Sequence, residues 1–198
     1  MCPDLNTLYE SIYIEIRKLN REWQIFQELF TESEERIKIL SNTAGTFFYI
    51  IQELLKESVF LTISRLTDPK MSAGKENLSL EKLVSELESS GDSKLAKELA
   101  LELTKIKDNS EPIRKWRNKK LSHADLQKST NPKFNPLPPV LLGTLDKIFI
   151  QINEFSNAIA KELGKPYVLH EKAIIEGGVE DLEMYLRIGL SKNEFKGG

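Results

Sequence analysis

Cysteine is almost absent from this sequence, and histidine is nearly as scarce. The one cysteine is Cys2, and the two histidines are His123 and His170. A single cysteine cannot form an intramolecular disulfide, and so few Cys and His residues do not make a familiar zinc site. The sequence also lacks a Gly-rich phosphate loop of the Walker or Rossmann type and a Gly-x-Ser-x-Gly elbow. These absences exclude enzymes with a familiar zinc site, enzymes with a Walker or Rossmann phosphate loop, and hydrolases with a Gly-x-Ser-x-Gly elbow.

Long apolar runs are missing as well. The nearest approach to one, FFYII at residues 47–51, is followed directly by Gln52 and Glu53, whereas a membrane helix requires ~20 apolar residues. The first ten residues lack the basic start and the apolar core of a signal peptide. Together with the isolated cysteine, this pattern predicts a soluble protein of the cytoplasm.

An excess of positive charge is a third absence. The chain has 28 Lys and Arg residues against 30 Asp and Glu residues, for a formal net charge of -2. This balance argues against a protein that coats nucleic acid through bulk positive charge. Any anionic ligand has to be met by a local group of basic side chains.

Strand patterns are absent too, because no segment alternates apolar and polar residues convincingly enough to build a sheet. Apolar residues instead recur every three or four positions, which is the period of one helix face. The first helix carries this pattern at Leu5, Leu8, Ile12, Ile16, Leu19, Trp23, Phe26 and Phe30. A last major helix carries it at Leu141, Leu145, Ile148, Ile152, Phe155, Ile159 and Leu163. The sequence predicts an all-α bundle of about four to six helices.

Capping residues and prolines predict the helix boundaries. Thr31 and Glu34 form a Thr-x-x-Glu capping box, which predicts the start of a second long helix that we expect to bend near Gly45. By the same helical period, the aromatic residues at 47–49 are expected in the core. Pro112 suits a first helical turn but disrupts a helix interior, so we expect a helix to restart there.

Polar segments divide the chain into parts. The stretches at about 67–78 and 127–140 contain proline in a polar setting and are expected to be loops. The residues after the last major helix contain one short amphipathic helix candidate. We therefore predict a helical domain over residues 1–165 and a C-terminal extension over residues 166–198, to which the sequence assigns no role.

The most unusual stretch is IRKWRNKKLSHADL at residues 113–126. In its basic part, RKWRNKK at residues 114–120, the basic side chains are unopposed by any carboxylate, so they create a local positive field that would attract a phosphate. They are Arg114, Lys115, Arg117, Lys119 and Lys120. Basic runs are also common on solvated helix faces, and charge alone leaves that interpretation open.

Arg117 and His123 can border one groove. They are six residues apart, which on a straight helix separates their side chains by about 120°, with Lys120 between them. Imidazole moves protons at neutral pH, and guanidinium offers several donors to phosphate oxygens, so the pair suits metal-free cleavage of RNA by its own 2′-hydroxyl. The alternative is that His123 merely ends the helix, or that Ser122 and Asp125 act as local caps.

The other conspicuous side chain in the stretch is Trp116. It could stack on an unpaired base. Its helical neighbours Ile113 and Leu121 are apolar, so we expect Trp116 to pack in the core or in a dimer interface. His170 has no comparable set of partners, and we expect it to be an ordinary surface or packed histidine.

An Arg, a polar residue, a short spacer and a His, placed late in a helical bundle, resemble the signature of the HEPN superfamily. Arg117, Asn118 and His123 match this pattern. The long opening helices and the sequence SRLTDP at residues 64–69 further resemble the Abi-type, AbiU-like branch, which is associated with phage abortive infection. The likeness spans roughly residues 1–165.

This resemblance implies a metal-independent endoribonuclease with no cofactor, in which two protomers pack their motif helices into one composite cleft. His123 would transfer protons, Arg117 would bind the phosphate and its transition state, and Asn118 would orient the histidine or the RNA backbone. From charge alone, we expect RNA-backbone contacts from Arg114, Lys115, Lys119 and Lys120.

The resemblance also implies partners. They are RNA, a second copy of the chain and, as in many members of the superfamily, a nucleotidyltransferase-type antitoxin that silences the toxin. Other members bind RNA or protein partners without cutting, so a non-cleaving module is the alternative. A helical adaptor with a basic surface is a third interpretation.

Overall fold

The chain is almost entirely helical in its computed structural model, which describes residues 4–118, 140–168 and 176–194. The helices in these residues are α1 (Leu5–Phe30), α2 (Glu34–Leu66), α3 (Leu80–Ser89), α4 (Ser93–Asn109), α5 (Glu111–Trp116), α6 (Leu142–Leu163) and α7 (Val179–Glu194). The all-α prediction is confirmed. No helix in the described ranges is long and apolar enough to span a membrane.

The chain forms two compact units. The first comprises Met1–Leu19 and Phe60–His170, and the second comprises Asn20–Val59 and Glu171–Gly198. In the first unit α4 packs against α3, α5 and α6. The predicted helical period produces its core, because apolar residues three or four apart are buried along each helix. Those on α1 are Leu8, Ile12, Ile16 and Leu19, and those on α6 are Leu145, Ile148, Ile152, Phe155 and Ile159.

The core of the second unit is smaller. Its buried residues are Leu29, Leu40, Phe48 and Val179, with Ile25, Phe30, Leu55, Leu182 and Leu186 packed against them. The prediction that residues 47–49 are all core is wrong, since Phe47 is 57% exposed and Tyr49 is 64% exposed. Successive helical residues point about 100° apart, so one buried face cannot hold three in a row.

Helix α2 begins and bends close to where the sequence predicts. Its N-terminus is capped by Ser33, whose hydroxyl accepts a hydrogen bond from the Arg36 backbone N–H at 3.2 Å. The predicted cap, Thr31, instead donates to the Gln27 carbonyl at 2.9 Å. The expected bend is confirmed at Ala44, whose φ of -148° and ψ of 55° are not helical.

The segment that follows α2 contains a small hairpin that the sequence did not predict. Strand β1 (Met71–Ser72) pairs in antiparallel fashion with β2 (Lys75–Glu76). The two residues between them, Ala73 and Gly74, have φ values of 47° and 77°. Two positive φ angles are typical of a type I′ turn, which matches the twist of the paired strands.

The restart of the helix at Pro112 is confirmed. Helix α4 ends at Asn109 and is capped by Ser110, whose buried hydroxyl donates to the Ile106 carbonyl at 2.7 Å. Helix α5 then begins with Pro112 in its first turn, where the missing N–H has no helical acceptor to lose. This break sets the direction of the short helix that carries Arg114 and Arg117.

Candidate functional site

Helix α5 presents two arginines on one face. Arg114 and Arg117 are three residues apart, which brings their side chains together on a helix. Ile113 is fully buried, and the ring of Trp116 lies edge-on to that of Phe60, with centroids 6.0 Å apart. The expectation that Trp116 packs rather than stacks on a base is supported by this contact. At residues 117 and 118 the helix widens into a π-helical turn, a feature common at functional sites.

The partner of these arginines is the end of α2, in the sequence SRLTDP. The last carbonyls of a helix have no N–H donor within the helix, so they need donors from elsewhere. Thr67 provides two of them, because its N–H donates to the Ile63 carbonyl at 3.1 Å and its hydroxyl donates to the same carbonyl at 2.9 Å. The Asp68 N–H donates to the Arg65 carbonyl at 3.2 Å. Pro69 has no N–H and stops the helix.

Contacts from residues beyond the hairpin hold this segment in place. The side-chain amide of Asn77 donates to the Pro69 carbonyl at 2.7 Å. The Lys70 N–H donates to the Glu81 carboxylate at 3.2 Å, and Lys107 from α4 pairs with the same carboxylate. The hydrogen bond from Lys107 is the main reason that the pKa of Glu81 lies below its usual range. The backbone on both sides of Asp68 is thus fixed.

Arg114 is anchored at three points, one in the last turn of α2 and two on the residues that follow it. Its Nη1 donates to the Thr67 hydroxyl at 3.1 Å and to the Ser64 carbonyl at 3.4 Å. Its Nη2 donates to Oδ1 of Asp68 at 3.0 Å. A guanidinium at this position donates to one carbonyl at the helix C-terminus, that of Ser64, and interacts favourably with the negative end of the helix dipole.

Arg117 is held differently. Its Nη1 donates to both carboxylate oxygens of Asp68, at 2.8 Å and 2.9 Å, and its Nε donates to Oδ1 of Asn118 at 3.1 Å. The side chain of Arg117 is 21% exposed and that of Asp68 is 22% exposed. The pair is therefore partly shielded from water. Charge-assisted hydrogen bonds in such a place are stronger than those at an open surface.

These contacts correct one prediction. The basic residues of the stretch were expected to face no carboxylate, yet Asp68 faces both arginines, and Lys115 lies 3.6 Å from Glu111 on the exposed side of α5. Asp68 is more than 45 positions upstream, so the local charge pattern could not reveal it. The remaining local charge is therefore smaller than the sequence suggested.

The structure brings together Arg114, Arg117 and Asn118, with Asp68 added. Of the other predicted site residues, Lys115 lies on the exposed side of α5, whereas His123, Lys119 and Lys120 lie outside the described residues, as does His170. Asp68 is the functional candidate that the sequence reasoning missed. Its signal in the sequence is the segment SRLTDP, which carries part of the family resemblance and ends in this acid and a proline. Among the described residues, no group of three His, Cys, Asp or Glu side chains could hold a metal ion.

Comparison with known proteins places the chain in a family. Neither the curated proteins nor the solved structures give a match to it. The model of the HEPN_AbiU2 family, described as AbiU2, matches residues 3–173. This match covers most of the chain, including α1 to α6 and both arginines of α5. The protein belongs to the AbiU2 family of HEPN domains, which is related to abortive infection.

Proposed function

We propose that this protein is a metal-independent endoribonuclease and the toxin or effector of a prokaryotic phage-defence or toxin-antitoxin system. The observation that carries the proposal is the fixed guanidinium of Arg117 at the end of α5, in a chain that belongs to a HEPN family. In this proposal Arg117, Asn118 and His123 form the catalytic group.

The proposed reaction is intramolecular in the RNA. The 2′-oxygen attacks the adjacent phosphorus, the bond from phosphorus to the 5′-oxygen breaks, and a 2′,3′-cyclic phosphate and a 5′-hydroxyl form. One proton leaves the 2′-hydroxyl and one is delivered to the 5′-oxygen, so the protein has to transfer protons and stabilise added negative charge. His123 would move the protons, and Arg117 would bind the charged phosphate.

The contacts of Arg117 support a role toward phosphate. Asp68 uses Nη1 and Asn118 uses Nε, while Nη2 has no acceptor among the described residues. Two guanidinium groups share a single carboxylate, which leaves this group of three side chains with a net charge of about +1. A prepositioned donor of this kind costs little reorganisation when charge develops in the transition state.

The proposal includes partners. Two protomers would combine their Arg117 and His123 side chains in one cleft, and a nucleotidyltransferase-type antitoxin would hold the toxin inactive. Lys115, Lys119 and Lys120 would contact the RNA backbone. Arg114 would act on RNA only indirectly, because its guanidinium already binds α2 and Asp68.

The test is cleavage of total RNA by the purified protein in EDTA. The expected products carry 2′,3′-cyclic phosphate ends. His123→Ala should lower the cleavage rate by about 10²-fold or more, because it removes the proton-transfer group. His170→Ala is the matched control, since it removes the only other histidine, and it should retain the wild-type rate. Wild-type activity in His123→Ala would refute the assignment.

The second candidate is a non-cleaving HEPN module that binds RNA or a protein partner. The observation that favours it is the ion pair between Arg117 and Asp68, which already gives the arginine a structural role. The same incubation distinguishes the two functions. RNA that is bound but remains intact, with affinity that falls as salt is added, would support the module.

A further inference from the structure

Asp68 connects Arg117 to α2. Arg114 reaches α2 by itself, through the Thr67 hydroxyl and the Ser64 carbonyl. Arg117 has no such second contact in the part of the chain that the structure describes, and it meets the end of α2 through Asp68 alone. The position of the Arg117 guanidinium therefore depends on this one carboxylate and on Asn118.

The Asp68 carboxylate is itself held before any ligand arrives. Its backbone N–H is bonded to the Arg65 carbonyl, and the carbonyl of the next residue, Pro69, accepts from Asn77. Arg114 donates to Oδ1 at 3.0 Å, on the same oxygen that Arg117 contacts at 2.8 Å. A carboxylate fixed at its backbone and at one oxygen is a rigid platform for a second guanidinium.

This contact leaves part of Arg117 for a ligand. Arginine has five N–H donors in a planar arrangement. Asp68 contacts only one of the three nitrogens of Arg117, Nη1, and Asn118 contacts Nε. The Asp68 carboxylate is also shared with Arg114. A phosphate could therefore bind Nη2 of Arg117 without displacing the carboxylate. The contact is therefore better suited to orient the Arg117 guanidinium than to block it from binding a phosphate.

Resting on the proposed function, we propose that Asp68 is a positioning residue of the RNA-cleaving site. It acts through Arg117, whose Nη1 it holds, so that the remaining donors meet the scissile phosphate. It does not touch the RNA and transfers no proton.

The experiment is chemical rescue of Arg117→Ala. This variant removes the guanidinium but keeps the carboxylate that binds it, so free guanidinium at roughly 20 mM should bind to Asp68 and restore cleavage of an RNA oligonucleotide by about tenfold over the unrescued rate. In Arg117→Ala combined with Asp68→Asn, the same addition should change the rate by less than about twofold. Urea at the same concentration is the uncharged control, and it should rescue neither variant.

A kinetic comparison completes the test. Asp68→Asn alone should lower kcat by about tenfold with KM within about twofold, because a misplaced arginine weakens the transition state more than the bound RNA. Glu15→Gln is the matched control, since Glu15 pairs with Arg65 in the same unit and should leave both constants unchanged. If the double variant Arg117→Ala, Asp68→Asn does not fold, the double variant Arg117→Ala, Asp68→Glu replaces it. Its carboxylate is displaced by one methylene, and its rescue should be at least about threefold weaker.

The outcomes separate the two proposals. A wild type that cleaves no RNA removes the proposed function and the positioning role with it. If the wild type cleaves RNA but guanidinium rescues Arg117→Ala equally with and without the Asp68 carboxylate, the positioning role alone is removed. The same holds if guanidinium rescues neither variant.

Discussion

Replacing Asp68 with alanine is expected to destabilise the first unit by about 2 kcal/mol. The carboxylate accepts hydrogen bonds from two arginines, with donor distances of 2.8 to 3.0 Å, and its side chain is 22% exposed. Exposed ion pairs contribute about 0.2–1 kcal/mol, whereas removing one partner of a buried pair costs about 3–5 kcal/mol. An intermediate exposure gives an intermediate value, and the two guanidinium groups left behind repel each other.

The measurement is urea unfolding followed by the fluorescence of Trp116, which contacts Phe60 in the same unit. The chain has two tryptophans, so a Trp23→Phe background leaves Trp116 as the only one. Asp68→Ala should lower the free energy of unfolding by about 2 kcal/mol, and the Tm by about 4–8 °C. Asp68→Asn keeps the side-chain volume and one oxygen acceptor, and should lose about 1 kcal/mol.

A matched pair in the same unit provides the control. Glu15 also accepts from an arginine, Arg65, at 2.6 Å, but this arginine is 49% exposed and is the carboxylate's one guanidinium partner in the part of the chain that the structure describes. Glu15→Ala should therefore cost no more than about 0.5 kcal/mol. If Asp68→Ala cost no more than Glu15→Ala, the two-arginine contact would not be a stabilising element, and the reasoning about Asp68 would be refuted.

Three further predictions concern stability. The hydrogen bond from Arg36, at 2.5 Å, is the largest cause of the lowered pKa of Glu183. Glu183→Gln should therefore lower the free energy of unfolding by about 1 kcal/mol at pH 7. Because the folded-state pKa is depressed, this difference should shrink in urea titrations as the pH falls below ~4.5; a constant gap down to pH 3 would contradict it. Ala73→Asn should raise stability by about 0.5 kcal/mol in thermal melts, since asparagine tolerates the φ of 47° better than alanine, and a lowered Tm would count against the turn assignment. Ile113→Ala should cost about 3 kcal/mol at a fully buried position, against less than about 0.5 kcal/mol for the 63% exposed Ile14, and equal losses would refute the packing.

The helices were predictable from the sequence because their apolar period is strong. The face from Leu8 to Leu19 and the restart at Pro112 both appear as expected, since helix period and proline chemistry act within a few residues. Where two local signals compete, prediction is less certain. Thr31 and Ser33 are both suitable caps, and which of them ends up at the N-cap depends on the path of the chain between α1 and α2.

The candidate site was predictable only in part. Arg117 and Asn118 were identified from their resemblance to the HEPN signature, and the structure places them in contact. Asp68 was not identified, because its relation to Arg117 depends on how α5 packs against the end of α2, and not on any pattern within either segment. The prediction for Phe47 was wrong for a related reason. Helix geometry shows that residues 47–49 cannot all be buried, but which of the three is buried depends on what packs against α2.

The most direct test of the central claim is the cleavage of one RNA oligonucleotide in EDTA by wild type and by His123→Ala. The substrate is compared with a copy that carries 2′-O-methyl groups, which cannot supply the attacking 2′-oxygen. We expect cleavage of the unmodified RNA alone, with 2′,3′-cyclic phosphate ends, and a rate at least about 10²-fold lower in His123→Ala. Cleavage of the methylated RNA, or an unchanged rate in the variant, would contradict it.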